Sequence, residues 1–520
     1  MVFSNIDIFF FVLYCLAVLG IGIRFSLKSK YSANAENYFL ASKSLSFPII
    51  GCSILAANIS AEQFIGMSGS AYAIGLAIAG YEWISAIVLI LVAKFFLPVF
   101  IREKIYTMPS FLARRYNARI QNILSVFWLF LFVFVNLTSI LYLGALALSE
   151  FLNIHLMAAI LFLALFSASY TIFGGLKAIA KIDVIHVVFL ILGGLLTTYF
   201  SLNHAGNGQG AWIGFHALLR EAPDKFVMIL EKDNPNFTYL PGIRAVFGGI
   251  WIAAVYYFGA NQYIIQKALG AKSLKEAQNG MVFAGFLKIL TPLVVVIPGI
   301  AAFVLNGSIT KPDEAYPWLL NNFVPAGIKG IVFAALIAAI VSSLSAIINS
   351  ASTIFTMDIY KKWFNKTADD KSQIRAGRAA VIIFTLIAAA IAPLLGSIDQ
   401  VFQFIQKYTG FISPAITSIF ILGIFSRKTT SNAALWGIII NILLAMILEI
   451  GFPHLPFLDK MLVLFAFVSL FIICFSRIEK NTEKNNSPFY LKKSIFKTSF
   501  PFNISSIILI GIVIFLYIMF

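Results

Sequence analysis

Long apolar runs set the pattern of this chain. They fall at roughly 6–25, 47–74, 76–101, 120–149, 155–176, 182–203, 243–266, 279–305, 328–357, 379–396, 400–425, 430–450, 460–476 and 503–520. A helix of about 20 apolar residues crosses a bilayer. The runs are continuous rather than alternating, so they predict helices and not barrel strands. The expectation is an all-α integral membrane protein of about 14 transmembrane helices, read as one transmembrane domain over 1–520.

Polar residues interrupt two of the runs. Asn58, Ser60, Glu62 and Gln63 fall in the middle of 47–74, beside Ala56 and Ala57. Polar groups at membrane depth are expensive and usually face a pathway or a partner rather than lipid. The bland reading is a polar helix–helix contact; so dense a cluster beside small alanines reads better as a broken helix. A break frees backbone carbonyl and N–H groups, which a membrane tolerates only where they line a cavity. Such a cavity can hold an ion and a solute. The 243–266 run is interrupted in the same manner, in Trp251-Ile252-Ala253-Ala254-Val255-Tyr256-Tyr257-Phe258-Gly259-Ala260-Asn261-Gln262. Five spans separate the two starts, so the two segments insert with opposite topology. Paired interrupted helices in inverted halves are the best sequence pointer to a transporter site.

Composition agrees: 60% of the 520 residues are hydrophobic and 12% charged, against about half and a quarter in a soluble domain. The net charge of +16 does not point to nucleic acid, because the charges sit in short loops. With the N-terminus outside, cytoplasmic loops carry 28 Lys and Arg and the opposite side seven, with Lys94, Lys288 and Lys407 inside spans. That alternation predicts both termini outside a plasma (inner) membrane. The first run is read as a retained helix and not a signal peptide, since Asp7 precedes it and Arg24, Lys28 and Lys30 follow it. The 204–242 loop is expected to fold over the outer mouth, and the last helix, beyond a charged 477–500 linker, to be peripheral.

Candidate chemistry lies inside the spans. Glu82 and Ser85, three residues apart, share a helical face, although a carboxylate near a loop also reaches the surface readily. Lys288 sits a few turns inside its span, where an ammonium needs an acceptor such as a glutamate or a solute oxygen. Gln403, Gln406 and Lys407 cluster; glutamine, donor and acceptor at once, suits a hydroxylated solute. Phe402, Tyr81 and Tyr257 could cover the apolar faces of a sugar ring, though an aromatic stripe is as readily core. Isolated membrane serines commonly bond back to their own helix. Adjacent Ser342 and Ser343, facing an interrupted helix, could instead offer hard oxygens to Na⁺, completed by freed carbonyls. The five histidines show no metal-ligand spacing. Cys15, Cys52 and Cys474, with no CxxC spacing, read as buried small hydrophobes. No nucleophile–base pattern suggests an enzyme.

Together the segments Ala56-Ala57-Asn58-Ile59-Ser60-Ala61-Glu62-Gln63-Phe64-Ile65-Gly66, Tyr81-Glu82-Trp83, Gly174-Gly175-Leu176, Asn261-Gln262-Tyr263-Ile264-Ile265-Gln266, Ala277-Gln278 and Tyr408-Thr409-Gly410 resemble the sodium:solute symporter family, nearest its bacterial sodium/galactose (sodium/glucose-type) members. The resemblance runs over nearly the whole chain and weakens after about residue 455. It implies a leucine-transporter-type inverted five-plus-five repeat, with repeats at 47–203 and 243–425, one extra N-terminal helix at 6–25 and three peripheral C-terminal helices in 430–520. It further implies sodium-driven import of a sugar or polyol by alternating access. The family's sugar-binding residues fall on Gln63, Glu82, Ser85, Lys288 and Gln406, its inner gate on Tyr257 and its outer gate on Met67, Tyr81 and Phe402. Its sodium ligands fall on the carbonyls of Ala56, Ile59 and Ala339 and the hydroxyls of Ser342 and Ser343. Asp183 matches an acidic residue near the sodium route, and with Ser345 it could form a second sodium site.

Two departures put galactose itself in question. Ala254 stands where those members have a sugar-contacting Asn, and Lys407 where they have an acidic residue. The same-family alternatives are inositol, sialic acid or an amino acid; the Glu82, Lys288 and Gln406 set favours neutral polyhydroxyl solutes over carboxylates. A transporter-like sensor is the alternative from another class, and no long cytoplasmic signalling segment supports it.

Overall fold

In the computed structural model, which describes residues 4–29, 34–397, 401–479 and 493–520, both expected breaks are present. Phe47–Asn58 ends at Ile59, whose backbone is extended (φ −83°, ψ 118°). Glu62–Ile74 then continues at 63° to it. The local sequence makes this affordable. Gln63 Oε1 accepts the Ser60 N–H at 2.9 Å, and Ser60 Oγ accepts the Glu62 N–H at 3.1 Å. Side chains thus satisfy backbone donors that a continuous helix would have used. The second break is a single extended residue, Asn261 (φ −85°, ψ 125°), between the Gly242–Ala260 helix and Gln262–Leu269. Wide π-type turns flank the breaks, at Glu62–Met67 and Tyr256–Ala260; such turns recur at functional sites.

Around these breaks the described chain is helical, with no strand and one isolated bridge joining Leu45 to Ala271. Ten described helices are long and apolar enough to cross a membrane, eleven with the bent pair. Asn5–Ile21, Leu156–Ile172 and Thr409–Phe425 are apolar but shorter, so the expected count of 14 is reached only with these three included. Ile328–Phe364 is the central helix: 94% of its apolar window is buried, against 22% for Phe457–Ile478 and for Phe500–Met519. The last helix is therefore peripheral, as its apolar face predicts, with Tyr517 against Trp83. Phe47–Asn58 crosses Leu274–Leu305 through glycines. A Cβ on Gly51 would lie 2.9 Å from the Gly280 carbonyl, and one on Gly280 would lie 2.7 Å from Ile50. Small residues of this kind let membrane helices approach closely.

Two expected spans, 155–176 and 182–203, are two helices, Leu156–Ile172 and Gly174–Ala205, that meet at a kink whose non-helical residue is Gly175 (φ 54°, ψ −163°). The carbonyls released by the kink are taken up: the Tyr38 hydroxyl donates to Thr171 and Ile172, and Arg378 Nε donates to Ile172 at 3.0 Å. Only glycine adopts this backbone cheaply, and an added Cβ would also lie 2.4 Å from the Tyr38 carbonyl. Gly175→Ala is therefore expected to cost about 2 kcal/mol or more, seen as a lowered thermal midpoint in detergent. The 204–242 segment holds a helix, Ala211–Glu221. It then caps the end of Glu62–Ile74, where Lys225 Nζ donates to the Tyr72 and Ala73 carbonyls at 3.0 and 2.6 Å. A cation at a helix C-terminus is favourably placed.

Two readings need correction. The cysteines are not buried: Cys15 and Cys52 are partly exposed and Cys474 is exposed, as suits apolar side chains on lipid-facing surfaces. Lys267, counted as a loop charge, is 1% exposed within Gln262–Leu269.

Candidate functional site

The first break, at Asn58, and the wide turn that precedes the second, through Tyr256, Tyr257 and Phe258, line one cavity. Its walls hold Asn58, Gln63, Met67, Tyr81, Glu82, Ser85, Tyr257, Lys288 and Gln406, together with Glu62, Ala254 and Ser413. All of the expected sugar-binding residues thus meet here, with the expected inner-gate residue Tyr257 and two of the three outer-gate residues. The side chain of Phe402 lies outside the described residues. About 750 Å³ of empty space, counting the open mouth, lies among them.

Lys288 and Glu82 are paired rather than free. Lys288 Nζ donates to Glu82 Oε2 at 2.7 Å and to Asn58 Oδ1, and lies 5.1 Å from the Phe258 ring centre. Both charges are almost wholly buried. Each ion compensates the other's lost hydration at membrane depth, and Asn58 hangs on the same ammonium. Gln63 uses its carbonyl oxygen on Ser60, which leaves its NH₂ as its donor towards the cavity. Tyr257 packs edge-on to Tyr263, with ring centres 5.6 Å apart.

Directly behind Asn58 lies a cluster of oxygens. Ser343 Oγ is 3.4, 3.2 and 3.2 Å from the carbonyl oxygens of Ala56, Ala57 and Ile59. A hydroxyl has one proton to give, so four oxygens converge with more acceptor capacity than donors. That is a hard-oxygen setting of the kind small cations take. Ala57 was not foreseen as part of it. Ala339 lies one helical turn before Ser343 and is buried. Ser342 turns the other way and donates to Asp183 Oδ1 at 2.6 Å.

Asp183 and Ser345 have different partners. Asp183 accepts from Lys267 at 3.0 Å, from Ser342 and from Ser53. Ser345 bonds the Val341 carbonyl at 2.6 Å and the Tyr170 hydroxyl. Lys407 is absent from the cavity lining: it pairs with Glu449, which also holds Lys460 at 2.8 Å. Ala254 does line the cavity.

Several cavity residues carried no expected role, Glu62 and Ser413 among them. Glu62 Oε1 and Ser413 Oγ are buried without a hydrogen-bond partner among the described residues, and both line this cavity. Buried polar atoms normally find partners, so unpaired ones on a cavity wall suit a polar guest. The Glu62 carboxylate, in the middle of an apolar run, was the available signal; a serine beside Pro414 in a helix gives none.

Comparison with known proteins agrees with the geometry. The family model of the sodium:solute symporter family matches residues 38–441. The chain is 47% identical over 521 aligned residues to a sodium/glucose cotransporter of Vibrio parahaemolyticus, covering 97% of this chain and 96% of that protein. It is 31% identical to sodium/glucose cotransporter 1 of Ovis aries, covering 85% and 71%. Among solved structures, a sodium-coupled sialic acid symporter in a substrate-bound outward-open state superposes with a TM-score of 0.80 at 22% identity, covering 92% and 98%. That likeness shows a shared fold, the leucine-transporter type. The chain belongs to the sodium:solute symporter family.

Proposed function

We propose that this chain is a sodium-coupled symporter that imports a hexose such as galactose or glucose, or a related polyol, by alternating access across a plasma (inner) membrane, with both termini outside. Its repeats are 47–203 and 243–425. One observation carries the reading: a single break in the 47–74 span supplies both partners. Asn58 and Gln63 face the cavity, while the carbonyls of Ala56, Ala57 and Ile59 face Ser343. An ion bound at Ser343 would fix the backbone that presents Asn58, and through it Lys288 and Glu82, to the solute. The two ligands thereby favour the same arrangement, which is what coupling requires.

Gln63, Glu82, Ser85, Lys288 and Gln406 read the hydroxyl groups, while Tyr81 and Tyr257 cover the solute's apolar faces. Met67, Tyr81 and Phe402 close the outer side and Tyr257 the inner side. Sodium takes the Ala56, Ile59 and Ala339 carbonyl oxygens and the Ser343 hydroxyl; Ser342, expected to join them, would have to leave Asp183 to do so. Equilibrium binding to purified protein tests this reading. Sodium, and not potassium or choline, should raise hexose affinity about tenfold or more, the usual range of such coupling; equal affinity in all three salts would contradict it. Glu62→Gln is expected to raise the solute KM roughly tenfold, the cost of about 1.4 kcal/mol for a weakened charge-assisted hydrogen bond, with little change in maximal rate. Uptake kinetics in proteoliposomes check this.

A further inference from the structure

We propose that the apolar groove between the Ala118–Ser149, Val401–Phe425 and Ser431–Gly451 helices seats one anionic phospholipid, with an acyl chain along the groove and the phosphate on Lys407. Phe127, Phe130 and Leu131 line the groove from the first helix, Ile412 from the second, and Ile442 and Met446 from the third. It encloses about 1030 Å³, counting its open side. Phe130, Ile442 and Met446 are exposed. A hydrocarbon chain lying in a concave wall touches protein on several sides, and so gains dispersion contacts that a flat helix face does not offer.

One rim of the groove is charged. Glu449 lines it; its Oε2 accepts from Lys460 Nζ at 2.8 Å, and its Oε1 pairs with Lys407. Two ammonium groups on one carboxylate leave a positive charge over. The adjoining Arg244 and Asp459 pair with each other at 3.2 Å, so the excess stands among the described residues. Lys460 is nearly buried, whereas the Lys407 side chain is 42% exposed. An ammonium has three donors, and the pair with Glu449 engages one. All three residues sit at the ends of their helices: Lys407 early in Val401–Phe425, Glu449 late in Ser431–Gly451 and Lys460 early in Phe457–Ile478. Helix ends lie at headgroup level, and basic groups between spanning helices attract anionic headgroups there. A phosphodiester with no cation of its own fits the excess charge; a zwitterionic headgroup brings a second cation to the same place.

The sign of residue 407 decides the matter. An acidic residue there, beside Glu449, would make the rim negative and turn an anionic headgroup away; the lysine reverses this. The groove also adjoins the solute site. Thr409, two residues on, lines both the groove and the cavity, so the seated chain lies against the helix that carries Gln406.

Native mass spectrometry of the full-length protein in detergent, titrated with phosphatidylglycerol or phosphatidylcholine of identical acyl chains, tests this without reference to transport. Wild type should hold one phosphatidylglycerol about fivefold more tightly than phosphatidylcholine, the usual worth of one lysine near an anionic headgroup. Lys407→Gln should lose that preference and Lys407→Arg should keep it. Met446→Trp, which fills the groove from an exposed position, should weaken the binding of both lipids. Equal retention of the two lipids by wild type would overturn the inference, as would a preference that survives Lys407→Gln. Glu449 keeps Lys460 in that variant, so the fold should hold. Should Lys407→Gln nonetheless yield no protein, Met446→Trp decides: weaker phosphatidylglycerol binding supports the groove as the seat, and unchanged binding overturns it.

Discussion

Lys288→Ala is expected to lose sodium-driven uptake by at least 100-fold. The ammonium is the hub of the cavity wall, bonded to Glu82 at 2.7 Å and to Asn58. Truncation leaves the Glu82 carboxylate buried without a counter-ion. Breaking such a pair from one side costs about 3–5 kcal/mol, far more than the net value of an ordinary hydrogen bond, about 1 kcal/mol. It also releases Asn58, the residue that joins the cavity to the broken backbone. Because part of that cost falls on folding, the double variant Lys288→Met with Glu82→Gln is the informative companion. It removes both charges while roughly keeping volume, a replacement that is often neutral or stabilising. It should recover monodisperse protein on size exclusion without recovering uptake. Wild-type uptake by Lys288→Ala would remove Lys288 from the site.

Ser343→Ala should act on sodium first. The hydroxyl oxygen lies 3.2–3.4 Å from three carbonyls of the broken helix, and its loss removes one of four converging oxygens. A loss of about 1.5–3 kcal/mol, as for a hydrogen bond to a charge, corresponds to roughly 10- to 150-fold weaker sodium binding. Linkage makes the effect reciprocal: if sodium strengthens solute binding, solute strengthens sodium binding by the same factor. The apparent solute affinity should therefore fall at low sodium and recover at saturating sodium, while solute affinity in sodium-free buffer stays as in wild type. A variant with unchanged sodium half-saturation would place the ion elsewhere. Stability should change little, because Ala fits a helix better than Ser and the neighbouring Ser342 keeps its bond to Asp183.

What could be read from the chain, and what could not, divides along a physical line. Local signals were legible. Polar residues crowded into an apolar run marked the break after Asn58, and small and polar residues marked the break at Asn261. Which residues face the cavity followed from the family resemblance and agrees with the lining. Pairings between distant segments were not legible, because helical periodicity carries no information about which helix lies opposite. Glu82 and Lys288 were both expected to contact solute, yet 206 positions apart they neutralise each other. Lys267 looked like a loop charge because it ends an amphipathic half-helix; only the fold shows Asp183 beside it. Lys407 looked like a change in the site itself, whereas its partner is Glu449 on a neighbouring helix. The boundary between the spans expected at 155–176 and 182–203 falls earlier, at Gly175, where one non-helical residue makes the turn.

Whether sodium drives uptake is decided by labelled hexose entering proteoliposomes with and without an inward sodium gradient, run against a panel of hexoses and inositols. At least one of these solutes should rise transiently above its outside concentration when the gradient is present, and collapse to equilibrium when an ionophore dissipates sodium. Replacing sodium by potassium should abolish the overshoot. Equal uptake in both conditions for every solute, or an overshoot driven as well by potassium, would contradict the account.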